Sequence, residues 1–388
     1  MIKRWLTRNL IILTFVSLAQ DAASELLYPL LPILLTGVIG AAPVALGLIE
    51  GCAEAAAGFT KLLTGGASDR FGRKKFVVGG YSLAGIGKAF IVVATAWPLV
   101  FLGRITDRIG KGMRSAPRDA LISDSVDSKD LGKAFGFHRT GDNIGAVIGP
   151  GLALIGLALL NGDVRAVAAW ALIPAIISAI LTLFVRETFV KPTKEIRKVA
   201  RAEREPLSRP LKRTIALLTL IQLTNIPDAL LLLRLHDIGF STQGVVLAYM
   251  LFSAVTVIAT YPAGYVTDKF SPKIVYAFGL SAFAIAYYLL GSSQSHSVAI
   301  LAIAIYGFFP ALTDGVGKAW VAKISEVDNR GRAQGVYQAC MSFAVLGAGL
   351  WGGLAWSKGA FQVPLIIAAI GAFAGAVTLA AMHLKNRA

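Results

Sequence analysis

The chain is a succession of long apolar stretches, and their length constrains its fold more than any other feature. An α-helix needs roughly 20 residues to cross the hydrocarbon core of a bilayer. Gly/Pro breaks and basic segments delimit twelve such stretches, at 9–36, 43–64, 76–96, 98–123, 134–160, 166–186, 213–236, 243–263, 274–292, 296–321, 333–357 and 361–383. They lack the period-2 alternation of membrane strands, so each is predicted to be a helix. The expected fold is an all-α membrane protein with twelve transmembrane helices in two pseudo-symmetric six-helix bundles. Charged residues make up 15% of the 388, against about 25% in soluble domains, too few to cover a surface in water.

The formal net charge of +16 would suit a nucleic-acid partner if the basic residues gathered on one patch. They alternate instead. Lys3, Arg4 and Arg8 precede the first stretch, Arg70, Arg73, Lys74 and Lys75 follow the second, and more crowd 187–212, whereas the opposite loops hold Arg165 and Lys358. This is the positive-inside pattern. It argues against nucleic acid and places both termini in the cytoplasm. Residues 187–212 then form a cytoplasmic linker between an N-terminal bundle (1–186) and a C-terminal bundle (213–388). The first stretch begins like a signal peptide, but it is too long and carries Asp21 and Glu25, so it is expected to be retained. Trp97, Trp170 and Trp356 fall near predicted outer ends, where an indole suits the interface. Cys52 and Cys340 have the spacing of neither a metal site nor a disulfide and are expected to be buried small hydrophobes. No HExxH, GxSxG or GxxxxGK[ST] string occurs, which argues against a membrane-embedded enzyme and against ATP-driven transport. No metal or other cofactor is expected.

The halves share a repeat. An offset of 199 residues pairs Gly40 with Gly239, Gly65 with Gly264, Asp69 with Asp268, Phe71 with Phe270 and Lys74 with Lys273, and without a gap Gly132 with Gly331, Ala134 with Ala333 and Gly136 with Gly335. Six helices return the chain to its starting side, so the halves have the same membrane orientation, as in one class of secondary transporters. Such a repeat supplies a complete pathway within one chain. A monomer is the expected working unit, with a small-molecule substrate and the lipid bilayer as its partners.

GGASDRFGRKK after the second stretch resembles the loop signature of the major facilitator superfamily, with a degenerate copy, GYVTDKFSPK, after the eighth. GRITDRIGKG in the fourth resembles that family's Arg-bearing motif. GAVIGPGLA in the fifth, with Gly145, Gly149 and Pro150, resembles the motif of its antiporters, and the position paired with Pro150 holds Gly349. The string DRIGKGMRSAPRDALISDS at 107–125 is similar to that of one prokaryotic branch. The resemblance spans essentially the whole chain. It implies a substrate site near the midplane between the halves, and access that alternates as they rock. It also implies a latch at the loop of Arg70. There Asp69, held by Arg73, would meet the start of the eleventh helix near Ala333, whose dipole attracts an anion at about 0.3–2 kcal/mol. Asp268 would be its weaker counterpart against the fifth helix, and Gly65 and Gly72 would permit close approach and a tight turn.

A charge at the bilayer centre costs at least about 2.5–3.5 kcal/mol, so ionisable residues there usually face the bundle interior. At 100° per residue, Arg104, Asp107, Arg108, Lys111, Arg114 and Arg118 fall within about 120° of arc on the fourth helix. Two readings stay open. The strip is neutralised by Asp107, Asp119 and acids of neighbouring helices, or part of it attracts an anionic group or stabilises a deprotonated acid. In the first helix Asp21, Glu25, Tyr28 and Pro32 form one stripe. Burial disfavours an ionised carboxylate and a nearby Arg favours it, so an acid between those influences can load and release protons. Glu25 or Asp21 is the expected proton site, with Arg104 placed beside it by the family resemblance; a static ion pair is the other reading. Glu50 and Glu54 share a face of the second helix, with Lys61 further along. His138, Arg139 and Asp142 lie in the fifth, and His138 and Asp142, four apart, are further proton-coupling candidates.

The second half is poorer in charge. Its substrate-cavity candidates are Asn225 and Asp228 in the seventh helix and Asp314 and Lys318 in the tenth, the latter two most simply paired. They join Tyr28, Arg108, Lys111, Arg114 and Arg118 from the first half. Tyr249, Tyr306, Phe308 and Phe309 offer aromatic surface. Ion coupling is therefore expected in the N-terminal half. The leading expectation is a secondary transporter of the inner membrane that exports a small organic solute by proton antiport. The alternative is a proton-coupled importer or exchanger of an organic or phosphorylated anion.

Overall fold

A computed structural model describes residues 5–127, 130–187, 207–326, 330–358 and 361–385, without the side chains at 65, 66, 69, 261, 264, 268, 330 and 331. Most of the predicted linker lies outside the described residues. Among them the chain is helical and holds no strand. The helices are α1 (Arg8–Leu27), α2 (Pro43–Phe71), α3 (Arg73–Val93), α4 (Trp97–Asp124), α5 (Leu131–Leu159), α6 (Val164–Trp170), α7 (Leu172–Thr182), α8 (Arg209–Gln222), α9 (Asp228–Asp237), α10 (Thr242–Lys269), α11 (Pro272–Ser292), α12 (His296–Tyr306), α13 (Phe308–Lys323), α14 (Arg330–Ser357) and α15 (Gln362–Lys385). Their starts carry local signals. The Thr7 hydroxyl accepts from the Leu10 N–H at the head of α1, and Asp163 accepts from the N–H groups of Arg165 and Ala166 at α6, satisfying donors that a helix leaves open.

Nine helical stretches among the described residues are long and apolar enough to cross a membrane. Their outer faces agree with lipid as the solvent: Ile258 is 73% exposed and Phe278 67%. The stretches that miss this criterion are α2, α4 and the broken pair α8/α9. The first two carry intramembrane charge, and the third is interrupted.

That interruption corrects the continuous helix predicted over 213–236. Pro227 lacks an N–H and disfavours helix in the residue before it, and the chain opens between Gln222 and Asp228. The freed carbonyls find side-chain donors, as backbone groups away from water must. Trp351 Nε1 donates to Leu223 O at 2.8 Å and Tyr287 Oη to Ile226 O at 3.1 Å. The predicted sixth and tenth helices also divide, at Ala171 and Gly307. Pro29 and Pro32 turn the end of the first stretch into short irregular turns reaching Val38.

The helices form two compact units. The first holds Met1–Ile39 and Cys52–Glu205, the second Gly40–Gly51 and Pro206–Ala388. Within the first, α3 runs along α4 and α1 along α5. Within the second, α11 packs on α13 and α15, and α8 on α14. The head of α2 joins the second unit. There Gly47 and Gly349 bring two backbones so close that a Cβ on either would collide with the other's carbonyl oxygen. The same contact accounts for Gly349 where the repeat would place a second proline. Helix boundaries recur at the offset of 199: α3 (73–93) matches α11 (272–292), and α4 (97–124) matches the span of α12 and α13 (296–323). Gly40 and Gly239, one such pair, both adopt positive φ, 73° and 101°.

Two smaller expectations change. Cys52 and Cys340 are free thiols but only half-buried. Trp356 is buried against Phe361 rather than free at an interface.

Candidate functional site

In the first unit the charged face of α4 meets α1, α2 and α3. Asp107 is its hub. Lys88 Nζ of α3 lies 2.8 Å from Asp107 Oδ1 and Arg104 Nη1 3.5 Å from Oδ2, with all three side chains at most 5% exposed. Arg108 Nε lies 3.2 Å from Glu54 Oε1 of α2. Arg118, one turn beyond Arg114, donates to Ser17 Oγ at 2.8 Å and approaches Asp119 Oδ1 at 2.9 Å. Much of the cationic strip is therefore paired within the unit. Lys88, a lone Lys in an apolar stretch, escaped the sequence reading although intramembrane ionisable residues carry that signal.

Between α1 and α4 lies a cavity of about 390 Å3, lined by Asp21, Ser24, Glu25 and Tyr28 on one side and by Arg104, Asp107, Arg108, Lys111 and Arg114 on the other. The predicted acid stripe of α1 and the basic strip of α4 thus share one cavity. The Arg104 guanidinium stands 5.7 Å from the Tyr28 ring centre, and that of Arg114 stands 4.5 Å from Tyr81. Tyr81 Oη is within 3.1 Å of Ser17 Oγ, which joins the cavity wall to Arg118.

Glycines set the spacing of α1 and α5. A Cβ at Gly145 would collide with the Leu18 carbonyl, and one at Gly149 would stand 2.6 Å from the Ala22 carbonyl. The motif that resembles the antiporter signature is thus the contact face for the acid-bearing helix, and Pro150 sits inside an uninterrupted α5. On the same helix His138 Nε2 lies 3.7 Å from Asp142 Oδ1, and the exposed Arg139 reaches Asp142 Oδ2 at 4.0 Å. His138 is 3% exposed and neither ring nitrogen has a hydrogen-bond partner among the described residues.

The second unit holds a cavity of different chemistry at the α8/α9 break. About 230 Å3 in volume, it is lined by Asp228, Leu231, Leu232, Tyr249, Phe252, Ile303 and Tyr306. Tyr306 Oη donates to Asp228 Oδ1 at 2.6 Å, and Tyr287 Oη reaches Asn225 Oδ1 at 3.4 Å. Phe252 stacks on Tyr306 with ring centres 5.3 Å apart. Phe309 packs behind Tyr306, whereas Phe308 is 46% exposed and lines nothing there. Asp314 and Lys318 sit on an exposed part of α13, away from this cavity.

Of the predicted latch, the side chains of Asp69, Gly65 and Asp268 lie outside the described residues. Gly72 makes the expected tight turn at φ 98°. Arg73 Nη1 donates to Asp124 Oδ2 of α4, and the exposed Arg70 lies over Phe71. Lys74 is more than a topological anchor: its N–H donates to Glu187 Oε2 and its Nζ to Leu183 O, both at 2.8 Å.

The sequence profile of the Major Facilitator Superfamily matches residues 10–232 and again 215–388. The chain belongs to that superfamily. An MFS-type transporter of Methanocaldococcus jannaschii is 30% identical over 361 residues, covering 91% of this chain and 89% of that protein. The multidrug resistance protein MdtH of Yersinia enterocolitica is 24% identical, covering 87% of this chain and 82% of that one. In fold, the chain is similar to a POT family transporter (TM-score 0.80, 13% identity, 97% of this chain and 96% of that one) and to the D-xylose-proton symporter (TM-score 0.73, 19% identity, 95% and 96%). This superfamily member is a multi-pass membrane transporter of the secondary class.

Proposed function

We propose that the chain couples the proton gradient to movement of a small organic solute across the cytoplasmic membrane by alternating access, as a monomer with cytoplasmic termini and no other cofactor. The observation that carries this reading is the cavity in the first unit, where Asp21 and Glu25 face a row of cations. A carboxylate there trades its proton against neighbouring positive charge, which is what coupling requires. Two readings of the solute remain, each with its own support. Export by antiport is favoured by the MdtH relatives, named for multidrug resistance. Uptake or exchange of an organic or phosphorylated anion is favoured by the cations on α4.

Reconstitution into liposomes with an imposed pH gradient tests the proposal against a panel of cationic, neutral and anionic solutes. Gradient-dependent flux of one class is expected, lost in Asp21→Asn/Glu25→Gln. Flux indifferent to the gradient, or unchanged in the double variant, would overturn proton coupling.

A further inference from the structure

The cavity of the first unit also narrows the solute class, an inference that rests on the proton-coupled reading of that unit. Arg104, Arg108 and Arg118 each have a carboxylate within 3.5 Å. Lys111 and Arg114, one turn apart on the cavity wall, have none within 4.0 Å among the described residues. Arg114 is 6% exposed, and its Nη1 is buried without a hydrogen-bond partner. Its guanidinium stands over the Tyr81 ring, which takes no hydrogen bond from the Nη1 edge, and a buried donor left unsatisfied is costly, so Nη1 points to a partner that comes and goes. Asp21 on the facing wall is likewise without a salt-bridge partner among the described residues. The cavity lining holds four cations (Arg104, Arg108, Lys111, Arg114) and three carboxylates (Asp21, Glu25, Asp107), an excess of positive charge even with every acid ionised.

We infer that Lys111 and Arg114 bind the oxyanion, carboxylate or phosphate, of a water-soluble organic solute, and that this anion enters as Asp21 takes up a proton. The planar fork of Arg matches two oxygens of either group at once, and Lys adds a point charge. A cationic solute would meet like charge, and a neutral apolar one would leave Arg114 Nη1 unsatisfied. An ionised Asp21 offsets the charge of the two cations and repels an incoming anion, so the neutral acid is the binding-competent form. Other charged groups act on Asp21: Glu25 on its own helix, Lys111, Arg114 and Arg118 on α4, and Asp142 on α5, beside which His138 lies. The neighbouring α7 has no ionisable residue, and Arg165 of α6 is held by the carbonyls of Val92 and Ala94. Proton and anion would therefore load together.

Calorimetric titration of the purified full chain in neutral-lipid nanodiscs tests this without any gradient. The probes are succinate and citrate for carboxylates, glycerol 3-phosphate and inorganic phosphate for phosphates, and tetraethylammonium and glucose as controls. At least one oxyanion is expected to bind, tightening by up to about tenfold per pH unit on acidification, the limit for one linked proton. Arg114→Gln should weaken it about ten- to a hundredfold, Arg114→Lys should do so less, and the exposed Lys133→Gln should have no effect. Asp21→Asn, a milder change, should keep binding and remove most of its pH dependence. No oxyanion bound, preference for the controls, or undiminished pH dependence in Asp21→Asn would each overturn the inference. Gradient-driven flux of a cation or neutral solute without oxyanion binding would sink this inference alone. Oxyanion binding with no gradient-driven flux would sink the proton-coupled proposal instead.

Discussion

The two units place different chemistry at positions paired by the repeat. At the offset of 199, Lys88 corresponds to Tyr287 and Asp107 to Tyr306. The first pair is a buried ion pair with Nζ and Oδ1 2.8 Å apart. The second is two tyrosine rings whose centres are 5.5 Å apart. Arg104, Lys111 and Arg114 likewise correspond to Ile303, Pro310 and Thr313. Thus α4 carries charge along its cavity face, whereas its counterpart breaks at Gly307 and offers aromatic surface with one tyrosine-bound carboxylate, Asp228. Shared helix boundaries with unlike side chains mean that the frame does not dictate the site. The first unit lines its cavity with charged side chains, the second with apolar area and a few fixed hydrogen bonds.

The largest expected effect is at the ion pair. Lys88→Met removes the cation nearest Asp107 and leaves it the more distant Arg104 and Arg108, and about 3–5 kcal/mol of stability should be lost, read as a fall in the midpoint of thermal unfolding in detergent. The double variant Lys88→Met/Asp107→Leu should recover most of it. At the matching position Tyr287→Phe removes the hydrogen bond to Ile226 O, at a cost of about 1–3 kcal/mol. Equal losses in Lys88→Met and Tyr287→Phe would erase the contrast. Next is Tyr306→Phe, which frees Asp228 from a charge-assisted hydrogen bond worth about 1.5–3 kcal/mol. It should change solute affinity while leaving proton dependence intact, as measured by flux at several pH values. Asp69→Asn, from the loop signature, should slow transport with expression retained and raise labelling of cysteines introduced on the cytoplasmic side. Unaltered labelling and normal flux would remove the latch. The smallest effect is expected from His138→Gln, which should shift the pH profile of transport without abolishing it; an identical profile would take His138 out of coupling.

Much of this was readable from the chain. Stretch length located the nine described helical stretches long and apolar enough to cross a membrane, because lipid does not tolerate unpaired backbone. Helical spacing put Arg104, Arg108, Lys111 and Arg114 on one face and Asp21, Glu25 and Tyr28 on another. That these two faces share a cavity is a fact of packing, which spacing within a helix does not encode. Pairing was less accessible still. Glu54 takes Arg108 and Asp107 takes Lys88, so that among the described residues Lys111 and Arg114 have no carboxylate within 4.0 Å, and only distances between helices reveal this. The α8/α9 break had a signal in Asn225-Ile226-Pro227, masked by the strong apolarity on either side. The loop acids Asp69 and Asp268 rest on the motif alone.

The most direct measurement is internal pH in proteoliposomes loaded with a fluorescent indicator while an anionic solute is added outside. Acidification of the lumen on solute entry is expected for the wild-type chain and absent in Asp21→Asn, with Tyr306→Phe still acidifying. Solute entry without proton movement, or acidification undiminished in Asp21→Asn, would contradict ion coupling in the first unit.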